Sequence, residues 1–229
     1  MGSIVLPDML TVSTRRAVLE ALAYSDIFEY PLRLNELNRY LPILAQEKDV
    51  MDALESLDGR VATEAGYYFL PRRGEIVDIR KSREARSQKL LPHAMSYGKI
   101  LGALPFVRMV ALTGSLAVLN VSGRADFDYM LVTSQGRVWT ARAFALLLNR
   151  FARLFGHMLC PNVIISETAL EWTQRDLYSA RELCQMFPIA GADVYSRLMQ
   201  ANEWVAAFLP NATLDSPGLL PRSDRKSVV

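Results

Sequence analysis

Apolar positions recur at helical spacing through the first third of the chain. The run Ala17-Val18-Leu19-Glu20-Ala21-Leu22-Ala23-Tyr24 has the period of an amphipathic helix, with Thr14 as its cap. Pro31 interrupts the pattern. Leu34, Leu37 and Leu41 mark a second helix over 32–41, closed by Pro42. A third helix over 49–57 carries Val50, Met51, Leu54 and Leu57 on one side. Residues 60–63 and 67–70 then read as two short strands about an Ala65-Gly66 turn. The charged stretch 73–90 begins a long linking helix, in which Pro92 is a point of kinking or restarting.

The second half changes rhythm. Residues 106–112 and 129–132 are largely apolar runs of strand length, and 162–165 is a third. Between the last two, 137–155 predicts a long amphipathic helix, with Trp139, Ala143, Leu146, Leu147 and Phe151 on its buried face. Residues 169–185 and 194–208 have helical spacing, separated by Pro188 and Gly191. Trp172, Leu177, Leu183, Leu198, Trp204 and Phe208 are their expected core. From Asn211 the composition shifts to Pro, Ser, Asp and Arg without period, which predicts a disordered tail over 211–229.

Three helices and a hairpin form the pattern of a winged helix over 1–73, followed by a linking helix over 74–104 and a second domain over 105–210. A winged helix raises the question of DNA binding, and local charge argues against it. The third helix and its flanks carry Glu47, Asp49, Asp52, Glu55 and Asp58 against Lys48. Affinity for DNA rests on cations meeting phosphates, so an acidic recognition helix is repelled. Arg60, Arg72 and Arg73 near the wing are a partial counterweight.

At 229 residues and 51% hydrophobic composition the chain can bury a substantial core. A net charge of +2 is no polybasic signature. Cys160 and Cys184 lie far apart without metal-ligand spacing, which predicts reduced thiols and a cytoplasmic setting. The start lacks a secretory pattern, and acylation at Met1-Gly2 would want Ser or Thr where Leu6 stands. The apolar run 143–148 is bounded too closely by Arg142 and Arg150 to span a bilayer, so no membrane partner is expected.

The chemistry concentrates in one short region. Thr113-Gly114-Ser115 ends the run 106–112, and Asp126-Phe127-Asp128 opens the next. Carboxylates two apart on a strand share a face. A Gly-Ser turn leaves backbone N–H groups free for phosphate oxygens, with Ser115 as cap of a short helix over 116–120. Mg²⁺ takes one or two carboxylates plus substrate phosphates, so this is the residue set for a metal-bound nucleoside triphosphate. Asp126 and Asp128 would share the metal ions.

Gly-Ser, a short helix, a polar loop and Asp-x-Asp on a strand resembles the polymerase-β-like nucleotidyltransferases. The likeness covers about 106–167. The run 113–132, followed by Gly136-Arg137-Val138-Trp139-Thr140-Ala141-Arg142, is similar to a bacterial subgroup with an N-terminal winged-helix-like segment. The resemblance implies an α+β protein, a winged helix followed by a mixed sheet with flanking helices. It implies Mg²⁺ or Mn²⁺ and transfer of an NMP from an NTP, such as ATP, to an unidentified acceptor hydroxyl. Asp126 and Asp128 would be the catalytic metal ligands. Thr113, Gly114 and Ser115 would hold the nucleotide. Arg137 and Arg142 would contact its phosphates or stand in solvent. The family's third carboxylate opens a later strand, and here that position is Asn162. Glu167, at the other end of that strand, has the opposite parity. Asn162 keeps open a non-catalytic nucleotide-binding or scaffold protein, and the winged helix keeps open a DNA-binding regulator. His93 and His157 have no evident role.

Overall fold

The computed structural model describes residues 6–123 and 126–212; of the tail expected over 211–229, Asn211 and Ala212 are ordered and 213–229 lie outside the described residues. The described chain is a mixed α+β structure that divides into two compact units. One runs to Ser82 and resumes at Trp204; the other is Arg83–Glu203.

The first unit contains α1 (Leu6–Asp26), α2 (Leu34–Arg39), α3 (Glu47–Ser56) and a hairpin of β1 (Ala62–Glu64) and β2 (Tyr67–Phe69). Helix α1 begins well before the expected start, so Thr14 is a buried interior residue and not a cap. Ala17, Val18, Ala21 and Leu22 are buried, as is Leu37 on α2. Val50, Ala53 and Leu57 form the buried side of α3; Met51, expected there, points outward. Leu32 is not helical. Its backbone exchanges hydrogen bonds of 3.0 and 2.7 Å with Tyr68. Ala65 and Gly66 both have positive φ, the geometry of a tight hairpin turn. Arg80 and Glu36 form a buried ion pair at 2.8 Å, with the guanidinium 3.5 Å over the Tyr30 ring. Asn211 is a bracket: its amide donates to the carbonyls of Asn38 and Ile43 and accepts from the Ala45 N–H.

Helix α4 (Glu75–Gly102) passes through Pro92 without restarting. Its second part belongs to the other unit, where β3 (Val107–Leu112), β4 (Asp126–Thr133), β5 (Met158–Ser166) and β6 (Phe187–Ala190) form a mixed sheet in the order β5-β4-β3-β6. Strand β3 is antiparallel to both neighbours, and β4 and β5 run parallel. A parallel pair needs a crossover, and α6 (Val138–Ala152) supplies it. Strand β6 replaces the loop expected around Pro188. It is an edge strand, where a residue without an N–H is tolerated. Helix α7 (Leu177–Gln185) starts later than expected, capped by the Asp176 carboxylate on the Ser179 N–H. Helix α8 (Ala192–Ala201) follows β6. Among the described residues no helix is long and apolar enough to cross a membrane.

The expected face of α6 is inverted. Ala141, Ala145 and Ala152 are buried, whereas Trp139, Leu146, Leu147 and Phe151 are exposed, and Ala143 with them. The helix is apolar nearly all round, so its period alone does not choose a face. Alanines allow close approach to β4 and β5. Bulkier groups there would hold the helix off the sheet.

Overpacking therefore costs more than surface exposure. Ala145→Leu should destabilise by about 1–3 kcal/mol in denaturant melts. Leu147→Gln should stay within about 0.5 kcal/mol. The reverse ranking would mean that α6 is turned the other way.

Candidate functional site

Strand β4 opens on the Asp-x-Asp sequence. Phe127 points into the core, and Asp126 and Asp128 stand half-buried on the opposite face. The Thr113 N–H donates to the Asp128 carbonyl at 2.9 Å, which places the end of β3 beside the second carboxylate. The chain then turns at Gly114, with φ of +64°. A Cβ on Gly114 would lie 2.4 Å from Asp128 Oδ2. Glycine is needed there for its backbone conformation and for the space. Helix α5 spans only Gly114–Ala117, and its cap position is Thr113. Ser115 is thus an exposed residue inside the helix and not its cap.

Strand β5 supplies the other wall. Cys160 lies directly across from Asp128 in the parallel register. The pairing then slips, from Tyr129 with Pro161 to Met130 with Val163, so Asn162 is the extra residue of a bulge. Its Nδ2 donates to Asp128 Oδ1 at 2.8 Å, and its Oδ1 accepts from Cys160 Sγ at 2.7 Å. Asn162 therefore meets Asp128 directly, as its sequence position suggested. Glu167 does not. It follows β5 at the far end, where its N–H bonds to Thr133 and its carboxylate faces Arg108 and Arg197.

The two arginines separate. Arg137 caps α6 beyond the far end of β4, its guanidinium 4.7 Å over the Phe106 ring. Asp128 lies five residues back along the strand from Thr133, roughly 16 Å at about 3.3 Å per residue. Arg142 is near enough to Cys160 to favour its thiolate. Of the expected phosphate ligands, Thr113 and Gly114 lie against Asp128 and Ser115 follows them on α5. Arg142 acts on Cys160 and is not among the groups that act on the Asp128 carboxyl, and Arg137 stands away from the aspartates.

Electrostatics separate the groups further. Burial holds the Asp128 carboxyl above the ordinary carboxylate range; the charge of Asp126 adds to this and the Asn162 hydrogen bond opposes it. Burial, with the Asp128 and Asp126 charges, pushes the Cys160 thiol up, so it stays protonated. Glu182, on α7, was not expected here. Burial raises its carboxyl, and the Asp128 charge adds to the rise. Tyr178, one turn earlier, is raised chiefly by Glu182. The i, i+4 spacing of Tyr178 and Glu182 was visible in the sequence, but not the packing of α7 against α5 that brings them here.

Among the described residues no group of three or more His, Cys, Asp or Glu side chains is set to hold a metal ion. The hard oxygen donors are the two aspartates, a set that suits Mg²⁺ carried in by a triphosphate. His157, which had no evident partner in the sequence, lies on the core side of β4. Its Nδ1 is 3.2 Å from Tyr97 Oη, and its ring lies against His93 and Phe127.

Comparison of the chain with protein-family models, with curated proteins and with solved structures finds no match in any of the three.

The raised Asp128 pKa has a definite sign. A carboxyl that is harder to ionise in the fold than in the unfolded chain weakens the fold wherever it is charged, and that penalty fades as pH falls through the raised value. Asp128→Asn keeps the Oδ1 acceptor and removes the charge. Its melting temperature at pH 7.5 should exceed the parent's by about 1–3 °C. The gap should close as the pH approaches about 3.9, the ordinary carboxylate value. A lower melting temperature for the variant at pH 7.5 would contradict this reading.

Proposed function

We propose that the unit built on Arg83–Glu203 is a polymerase-β-like nucleotidyltransferase domain, preceded by a winged-helix-like module. The observation that carries this reading is the juxtaposition of Gly114 and Asp128. A glycine turn with no room for a side chain lies against the second carboxylate of an Asp-x-Asp strand. Backbone N–H groups and the Ser115 hydroxyl beside that turn would hold the β- and γ-phosphates of an NTP. Asp126 and Asp128 would hold Mg²⁺ or Mn²⁺. When bound, the ion neutralises triphosphate charge and makes the acceptor hydroxyl more acidic. Arg142 would add a cation on the phosphate side.

The reaction is attack by an acceptor hydroxyl oxygen on the α-phosphorus. A new P–O bond forms, the bond to the bridging oxygen of the β-phosphate breaks, and pyrophosphate leaves. The protein's part is positioning and charge complementarity, because phosphoryl chemistry asks for little covalent help. The hydroxyl proton needs an acceptor near the aspartates, and Glu182, whose carboxyl is raised, is the carboxylate that α7 brings there. NTP chemistry and the thiols of Cys160 and Cys184, neither in a disulfide, fit an intracellular, cytoplasmic setting.

A second reading has its own support. Asn162 fills the third-ligand position and hydrogen-bonds to Asp128, so the chain is also suited to hold a nucleotide without turning it over. The regulator reading gains nothing, since Glu47, Asp49, Asp52, Glu55 and Asp58 are all exposed on α3 and its flanks.

Titration calorimetry with ATP and Mg²⁺ tests the shared part of both readings. The parent should bind with a Kd between about 1 µM and 1 mM. Asp126→Asn combined with Asp128→Asn should remove the metal-dependent part and leave the fold intact. Unchanged affinity in that double variant would remove the assignment. Pyrophosphate release with a metabolite extract then separates transfer from binding alone.

A further inference from the structure

Helix α6 turns its large apolar groups away from the sheet. Trp139 is 80% exposed, Leu147 65% and Leu154, in the turn after the helix, 79%. Beside them runs a groove of about 900 Å³, whose lining includes Leu104, Phe144, Leu147 and Phe151. Large apolar side chains exposed together on one helix face and lining a groove are the features of an interaction site. The charged side chains that line it, Arg150 and Arg153, are both cationic. Arg142, Arg150 and Arg153 lie on the same segment, and no Asp or Glu occurs between Asp128 and Glu167.

We propose that this face docks an amphipathic helix of a partner protein whose apolar strip is flanked by carboxylates. The observations choose that occupant in three ways. The strip from Trp139 to Leu154 is about 22 Å long at about 1.5 Å per residue, the length of a four-turn helix. Its concave wall suits the i, i+3, i+4, i+7 side chains of a helix laid in a groove, and a bilayer has no use for a groove. Its arginines ask for carboxylates. A second copy of the chain would bring arginines to arginines with no acid between them, which penalises self-pairing. The residues after Ala212 are no better complement, since Arg222, Arg225 and Lys226 outnumber Asp215 and Asp224. The proposal does not rest on the nucleotide reading, because the residues that test it, Leu147, Arg150, Arg153 and Leu154, are none of those assigned to that site.

The probe is a blocked, fluorescein-labelled peptide of about 18 residues, long enough for an isolated helix. It carries Leu along one face and Glu on both flanks. A twin carries Lys in place of each flanking Glu. Anisotropy with the full chain should give a Kd of about 10 µM for the Glu peptide and at least about tenfold weaker binding of the twin. Leu147→Glu with Leu154→Glu should abolish binding without lowering the melting temperature, since both side chains are exposed. Arg150→Glu with Arg153→Glu should reverse the preference toward the Lys twin, which a nonspecific hydrophobic surface would not do. Absent binding, or equal binding of the two peptides, overturns the proposal. So does co-sedimentation with phosphatidylserine-containing vesicles in place of peptide binding, which would make the face a membrane contact. A dimer by light scattering that Leu147→Glu dissolves overturns it in favour of a second copy.

Discussion

The backbone at Gly114 passes so close to Asp128 that a methyl group there would stand 2.4 Å from the carboxylate oxygen. Two hydrogen-bonded features fix this approach. The Thr113 N–H is tied to the Asp128 carbonyl, and the Asn162 amide is tied to the Asp128 carboxylate. The turn, the second aspartate and the β5 bulge are therefore one unit, and none moves without the others. Asp128 bears the electrostatic consequence. It is half-buried beside a like charge, a state that weakens the empty fold and favours a cation. Such a cost at one carboxylate is the pattern of a site kept for binding at some expense of stability.

The sheet that presents this unit owes its geometry to α6. Three alanines let the crossover helix lie close on β4 and β5, and the parallel register that follows sets Cys160 opposite Asp128. The same choice turns Trp139, Leu147 and Phe151 outward. Close packing on the sheet side and exposed apolar surface on the other are two results of one arrangement of residues along a helix.

Local signals were legible in the sequence and long-range ones were not. The Ala65-Gly66 turn is readable from Gly66, which takes a positive φ without strain; the positive φ of Ala65 beside it is not a preference of that residue. The shared face of Asp126 and Asp128 is readable because strand parity is strict, whereas the β5 bulge that brings Asn162 to Asp128 is not written in any parity. The buried face of α6 is not legible in the sequence, because the helix is apolar nearly all round and the sheet selects its small residues over its large ones. Strand β6 was hidden by Pro188, which an edge position accommodates. Met51 was misplaced and Ala53 overlooked for the same reason as on α6. Glu182 was invisible as a site residue because nothing local tells that α7 returns to α5. Arg137 stands at the C-terminal end of β4, as its place at the start of α6 predicts, and the length of the extended strand keeps it from the aspartates.

Asn162 is where the account of the site is most exposed to measurement. It touches Asp128, and a carboxylate in its place would add a third negative charge at the metal position. Thermal melts of Asn162→Asp, with and without Mg²⁺, test this directly. The variant should melt below the parent without metal, by about 2–4 °C, and regain the loss when Mg²⁺ is added. If Mg²⁺ stabilises the variant no more than the parent, position 162 does not share a metal site with Asp126 and Asp128, and the account of Asn162 as the third-ligand position falls.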